Sequence, residues 1–430
     1  MSFEFLVIIA LGLLVVVLFV VVVPPDKNRA WAIVFTLATL MVTGNNSVPR
    51  GPRIASFAFC SLILLVSLLR GGSARRRPPT SFWPVLLIWG GLAIGVFINR
   101  SYPLESAVLY FGTAVLVAFV TSTLSSVETR LVLTAFVAMA SIESLWGLLE
   151  VLSSSTPLWG FRGNYIRTNP LTNDVWHRAQ ASTGQPVVFG TITGLGALLV
   201  WVNGIKLTPR LRLAALAVTG TGVFVSGTRS VALCLVIAIL AHLLARQSLL
   251  RWFRNVFVVG VIAGVVVVFN FGLTRLAADL VDSGSWVHRF TSIEGVPNLL
   301  ARPLPARLFG SGFGSQSSLF QDGYIRNTYG LQVVDNYLVY LLGTSGLVGL
   351  IMFLVISAVA IVRSDAKGRV VILLILGMAL SFDLLVWFYM GIVLSFFYAL
   401  PSRGLVSRRN LRTSRTAPIA PVIPRDQRLA

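Results

Sequence analysis

The sequence predicts an all-α polytopic membrane protein with about 12 or 13 transmembrane helices and one long extracytoplasmic loop. Three observations predict it. Of 430 residues, 56% are hydrophobic and 12% are charged, about half the charged share of a soluble domain. The mean hydropathy is +0.83. Apolar runs of spanning length recur from end to end, and in hydrocarbon a spanning segment that is not part of a closed barrel must be a helix.

The expected spans are 4–23, 28–44, 54–70, 82–98, 104–123, 130–152, 186–205, 210–226, 229–245, 253–272, 336–362, 369–382 and 384–400. The second is short, and the last two share one apolar stretch. Met1 to Val23 has no positive n-region and no small-residue cleavage site, so it reads as a retained span rather than a signal peptide. The chain then divides into a helix bundle over 1–272 with an outer loop at 153–185, a large loop at 273–335, C-terminal helices over 336–400 and a basic tail at 401–430. The tail carries seven arginines and one acid, with Pro418, Pro421 and Pro424. It reads as a disordered topology anchor against an anionic leaflet.

A net charge of +20 would suggest nucleic acid in a soluble protein. Here no nucleic-acid partner is expected, because the basic residues cluster in short connections, the positive-inside pattern. Arg70 and Arg75 to Arg77 mark one connection as cytoplasmic. So do Lys206, Arg210 and Arg212, then Arg246, Arg251 and Arg254, then Arg363, Lys367 and Arg369. Counting spans between these groups puts 153–185, the turn at Ser226 to Arg229 and 273–335 on one extracytoplasmic side. Membrane lipids are the expected surroundings. Cys60 and Cys234 fall inside spans without metal-ligand spacing and read as small core residues.

Three arginines stand at or near the outer ends of apolar segments: Arg178, Arg229 and Arg289. An ionisable group near hydrocarbon is expensive and marks a functional candidate. Arginine's planar fork matches phosphate oxygens, and its charge does not titrate away. Arg178 precedes Gly184-Gln185-Pro186, where proline suits a first helical position; its alternative is an arginine snorkelling to lipid phosphates. Arg229 follows a tight Ser226-Gly227-Thr228 turn at the start of a span, where unpaired N–H groups and a cation together favour an anion. A hairpin turn with an interfacial arginine is the alternative there.

The 273–335 segment holds His288, Arg289 and a Gly310-Ser-Gly312-Phe-Gly314 run. No strand–turn–helix surrounds those glycines, so they are not a dinucleotide site; tight turns and close backbone approach over a ligand are the expected use. Trp286, Phe290, Phe309, Phe313, Tyr324, Tyr329 and Tyr337 are expected either to stack on sugar faces or to form an interfacial aromatic belt. Asp335 stands at the mouth of the next span. It is a candidate catalytic base, with a helix N-cap as its alternative and His288 and His177 as rivals. Glu143 and Glu150, seven residues apart on one span, read as partners for buried polar groups. Neither an Asp-x-Asp motif nor a His/Cys/Glu cluster is present, so no cofactor or metal is expected.

The order of these features resembles the O-antigen ligase and Wzy-type polymerase superfamily, related in fold to the cell-wall polymerases of the shape, elongation and division group. The likeness covers about residues 178–355. It rests on Arg178 with Gly184-Gln185-Pro186, the Ser226-Gly227-Thr228-Arg229-Ser230 turn, Arg289 with the glycine run, Asp335-Asn336-Tyr337-Leu338, and Gly346-Leu347-Val348-Gly349. The resemblance implies a metal-independent, inverting glycosyltransferase in a bacterial inner membrane, acting on polyprenyl-diphosphate-linked oligosaccharide outside the cytoplasm, with other polysaccharide-assembly proteins as partners. It implies that Arg178, Arg229 and Arg289 bind the diphosphate. Asp335 replaces the histidine of the ligases, which favours a polymerase. A lipid-glycan or solute transporter is the rival from another class, and a catalytically dead assembly scaffold is the third reading.

Overall fold

The computed structural model describes residues 3–70, 82–161, 168–172, 174–244, 290–326 and 332–400, with Arg254 and Phe257. Among these residues the chain is helical and forms no strand; its one extended pairing is a bridge between Thr168 and His177. The helices are α1 (Phe3–Val22), α2 (Asn28–Thr43), α3 (Arg50–Arg70), α4 (Phe82–Asn99), α5 (Leu104–Ser122), α6 (Ser126–Leu152), α7 (Pro186–Trp201), α8 (Pro209–Ser226), α9 (Arg229–Leu244), α10 (Val296–Leu300), α11 (Leu304–Phe309), α12 (Gln316–Gln321), α13 (Tyr337–Arg363), α14 (Ala366–Ala379) and α15 (Phe388–Ala399). The expected span 253–272, Arg254 and Phe257 apart, and the tail after 400 fall outside the described residues.

Five of these helices, α3, α4, α5, α6 and α13, are long and apolar enough to cross a membrane. They bury only 28–50% of their spanning windows. The rest faces outward and is apolar: Leu65, Leu87, Ile94, Phe97, Ile142, Leu149, Ile351 and Leu354 are all exposed. A soluble monomer rarely carries so much contiguous apolar surface, and a bilayer is where it costs nothing.

The core is built around two helices that are apolar on every side. α15 is buried along its whole length, and α7 along all but its ends. A helix hydrophobic all round belongs in the interior. The other long helices alternate in direction, so polar connections gather at two ends. At one end Asn28 Nδ2 donates to the Ser67 carbonyl at 3.0 Å, Arg212 donates to the Val200 carbonyl at 3.2 Å, and Lys367 to the Asn203 carbonyl at 2.8 Å. The opposite end holds the turns 44–49, 99–104 and 226–229 and the described residues of 153–185.

The expected span 336–362 is not one straight helix. α13 breaks at Gly346, whose φ of 66° is a left-handed conformation that favours glycine. A Cβ there would collide with the backbone of Leu308 and Phe309, and one at Gly310 with the backbone of Thr344. The segment from 290 to 326 therefore does not hang off the bundle as a surface loop. It lies against the break, burying Leu299, Phe313, Leu319 and Phe320. Gly310, Gly312 and Gly314 all have positive φ; they do permit close backbone approach, and what they approach is this chain's own α13 and the 95–102 region.

A broken helix frees carbonyls that hydrocarbon cannot satisfy. Here the chain satisfies them itself. Ser311 N–H donates to the Gly343 carbonyl at 3.1 Å and Gly312 N–H to the Thr344 carbonyl at 2.8 Å. Arg302, only 3% exposed, donates to Leu342 and Gly343 at 2.8 and 3.0 Å, to the Leu299 carbonyl and to the Ser311 hydroxyl. Arg302→Met is expected to cost about 3 kcal/mol by stranding those carbonyls. Thermal unfolding in detergent should show a drop of several degrees against Arg326→Met, which removes an exposed arginine; equal melting points would refute the pinning role.

Candidate functional site

The polar end is organised by α6. Glu143 and Glu150 are each 2% exposed, and a spacing of seven puts them on one helix face. Their carboxylates accept from the segment that leads into α7. Ser182 N–H and hydroxyl donate to Glu143 at 3.0 and 2.7 Å. Gln180 and Ala181 N–H donate to Glu150 at 3.1 and 2.8 Å. The expectation that these glutamates serve buried polar groups holds, and the groups are three backbone amides and the Ser182 hydroxyl. Non-helical chain buried in a bundle needs such acceptors.

The remaining sides of the segment are also tied. Asn45 Nδ2 donates to the Ser182 carbonyl at 3.1 Å, while its Oδ1 accepts from Ser47 and Val48 N–H. Asn169, fully buried, donates to the Phe224 carbonyl at 3.1 Å, and Ala179 N–H donates to Val225 at 3.0 Å. Pro186 takes the first turn of α7 and Gly184 the left-handed turn before it, as the sequence predicts.

This scaffold carries Arg178 to the 226–229 turn. Its Nε donates to the Ser226 carbonyl at 2.9 Å and its Nη2 to the Thr228 hydroxyl at 2.8 Å. The turn has little slack. Gly227 caps α8 with φ 60°, and a Cβ there would lie 2.6 Å from Asn169 Oδ1 and 3.1 Å from Arg178 Cγ. Thr228 also donates to the Pro186 carbonyl at 3.2 Å, and Arg229 opens α9, half-buried. Arg178 thus reaches a turn that begins 48 residues further along the chain and ends at Arg229, so two of the three arginines singled out by sequence stand at one helix start. Arg178 is half-buried, with its Nε and Nη2 turned to the 226–229 turn. Arg289 and His288 lie outside the described residues.

Asp335 is half-buried at the start of α13. It is not the helix cap. That role belongs to Asn336, whose Oδ1 accepts from Leu338 and Val339 N–H at 3.0 and 3.2 Å. His177 lies with Nε2 3.5 Å from Glu150, beyond a good hydrogen bond. Burial lowers the affinity of its imidazole for a proton, which favours the neutral ring. Of the aromatic residues weighed for sugar stacking, Phe313 and Tyr337 are buried in the core, at 3% and 0% exposure, while Phe290 and Phe309 are exposed. Phe313 packs edge-on against Tyr102 and Phe111, so it and Tyr337 are structural.

Sequence reasoning missed Asn45, Asn169, Thr228 as the Arg178 partner, and Arg53. The asparagines sit in polar turns that carried no motif. Arg53 is half-buried in the first turn of α3 with its guanidinium over the Phe388 ring, and a basic residue near a helix start has no distinguishing pattern in sequence. No family model matches this chain, and no curated protein matches it.

Glu150→Gln replaces two acceptor oxygens by one. Amide hydrogen exchange at Gln180 and Ala181 is expected to quicken about tenfold or more, with α6 itself unchanged. Unaltered protection at those two amides would show that the carboxylate does not hold the segment.

Proposed function

We propose that this protein is a membrane glycosyltransferase that polymerises polyprenyl-diphosphate-linked oligosaccharide units into a surface polysaccharide. The observation that carries the reading is the Arg178 guanidinium fixed on the Ser226–Thr228 turn beside Arg229 at the start of α9. Two cations and a helix N-terminus make a site for a diphosphate. The basic connections 206–212 and 363–369 gather at the opposite end, which supports an extracytoplasmic active end in a bacterial inner membrane.

In this reading an acceptor hydroxyl attacks the anomeric carbon of the donor sugar. The bond from that carbon to the diphosphate oxygen breaks, and the arginines stabilise the charge that leaves. The hydroxyl proton passes to Asp335, which Asn336 relieves of helix capping. Arg289 is the third proposed diphosphate ligand and His288 the second proposed proton acceptor. Transfer to a different, single acceptor, the ligase reaction, uses the same chemistry.

The interrupted α13 favours a second reading, a transporter of lipid-linked glycan or solute, because such proteins bind substrate at broken helices. Against it, the carbonyls freed at Gly346 are already occupied by Arg302, Ser311 and Gly312.

The test uses purified protein in nanodiscs with lipid-linked oligosaccharide from the native host and EDTA present. Longer glycans with release of polyprenyl diphosphate are the expected result; binding without turnover would transfer support to the transporter. Arg229→Lys is expected to lower the rate at least about tenfold, since a point charge does not reproduce the bidentate fork. Asp335→Asn is expected to lower it at least about a hundredfold while donor binding persists. A wild-type rate in the Asn variant would move the base to His288 or His177.

A further inference from the structure

Arg53 stands in the first turn of α3, half-buried, at the same end as Arg178. Its guanidinium lies over the Phe388 ring, 4.8 Å from the centroid. Its Nη1 is 3.4 Å from both the Asn45 carbonyl and Asn46 Oδ1, the outer limit of hydrogen bonding. Neighbouring Arg50 is taken up by Glu105. Among the described residues no carboxylate pairs with Arg53. A half-buried guanidinium with only long contacts and no counter-charge is an incomplete arrangement.

An arginine at a helix end ordinarily snorkels towards lipid phosphates. Arg53 does the opposite. Phe388 opens α15, the helix buried along its whole length, so a guanidinium over that ring faces the interior of the bundle end. It shares a floor with the arginine site: Asn45, which its Nη1 approaches, donates from its side chain to Ser182, four residues after Arg178. The Tyr102 ring lies 6.5 Å from the Phe388 ring over which Arg53 sits, and burial pushes its phenol above the ordinary range. A planar cation with a phenol at the same inward-facing corner suits an oxyanion.

We propose that Arg53, with Tyr102 beside it, binds a carboxylate on the saccharide of the ligand whose diphosphate Arg178 and Arg229 hold. This rests on the diphosphate reading above and adds to it a substrate class, an acidic glycan. Arg53 is then a specificity determinant, set apart from the leaving group by Asn45 and the 178–182 segment.

The test uses the full chain in phosphatidylcholine nanodiscs, with three probes titrated separately: a glucuronate-terminated disaccharide, its uncharged glucose counterpart, and farnesyl diphosphate. Wild type is expected to prefer the acidic disaccharide. Arg53→Gln is expected to weaken that probe about tenfold, to the level of the neutral one, with farnesyl diphosphate affinity unchanged. Arg53→Lys, which keeps the charge and loses the planar fork, is expected to fall between them. Arg229→Gln should show the converse pattern. Equal binding of the acidic and neutral disaccharides by wild type overturns the proposal, as does an Arg53→Gln variant, monodisperse and helical, that binds both as wild type does. Loss of acidic-disaccharide binding when phosphatidylglycerol is added to the nanodiscs overturns it in favour of a lipid headgroup. Failure of farnesyl diphosphate to bind wild type would sink the diphosphate reading, while the preference for the acidic disaccharide and its loss in Arg53→Gln would still stand for Arg53.

Discussion

Buried backbone that leaves the helix has to be met by a side chain, and in this protein two kinds of charge meet it. Glu143 and Glu150 accept the amides of 180–182, and Arg302 donates to the carbonyls freed by the break in α13. With no water in hydrocarbon to take either role, an unmet amide or carbonyl costs several kcal/mol. Carboxylates for orphan N–H groups and a guanidinium for orphan carbonyls is the arrangement that lets irregular chain persist inside a helical bundle. The charged groups in turn are tolerated because each has several strong hydrogen bonds to compensate its burial.

The arginine site inherits its shape from the first of these devices. Holding 180–182 fixes where Ala179 meets Val225 and where Arg178 leaves the chain. The guanidinium then closes on Ser226 and Thr228, beside the left-handed Gly227. Three long helices, α6, α7 and α8, thus define one turn. Rigid elements of this kind position ligand-binding groups better than a loop standing free.

The second device shapes the other wall. Arg302 and the Gly310–Gly314 stretch lock 290–326 against α13, and Phe313 reaches Tyr102 and Tyr110. Ser101 donates to the Phe313 carbonyl at 2.7 Å, so the α4–α5 connection is held as well. That connection carries Tyr102, whose ring lies 6.5 Å from Phe388, the ring under Arg53. The two walls meet at the turn 44–49, where Asn45 donates to Ser182, Asn46 to the Val386 carbonyl at 3.0 Å, and Tyr389 N–H to Gly44 at 3.1 Å.

Much of this was legible in the chain. Apolar runs marked α1 to α9 and α13 to α15 within a few residues, because the length of a spanning helix and the cost of an unpaired amide leave little choice. The sequence also singled out Arg178 and Arg229, since a charge beside an apolar run is conspicuous, and it assigned Glu143 and Glu150 to buried polar partners. It did not show that Gly346 breaks α13, that 290–326 packs into the bundle, that Asn336 and not Asp335 caps the helix, or that Arg53 turns inward over Phe388. Hydropathy reports whether a residue suits lipid, one residue at a time. Which carbonyl meets Arg302, and which ring lies under Arg53, depends on residues more than 40 and 300 positions apart, and only the packed helices bring those together.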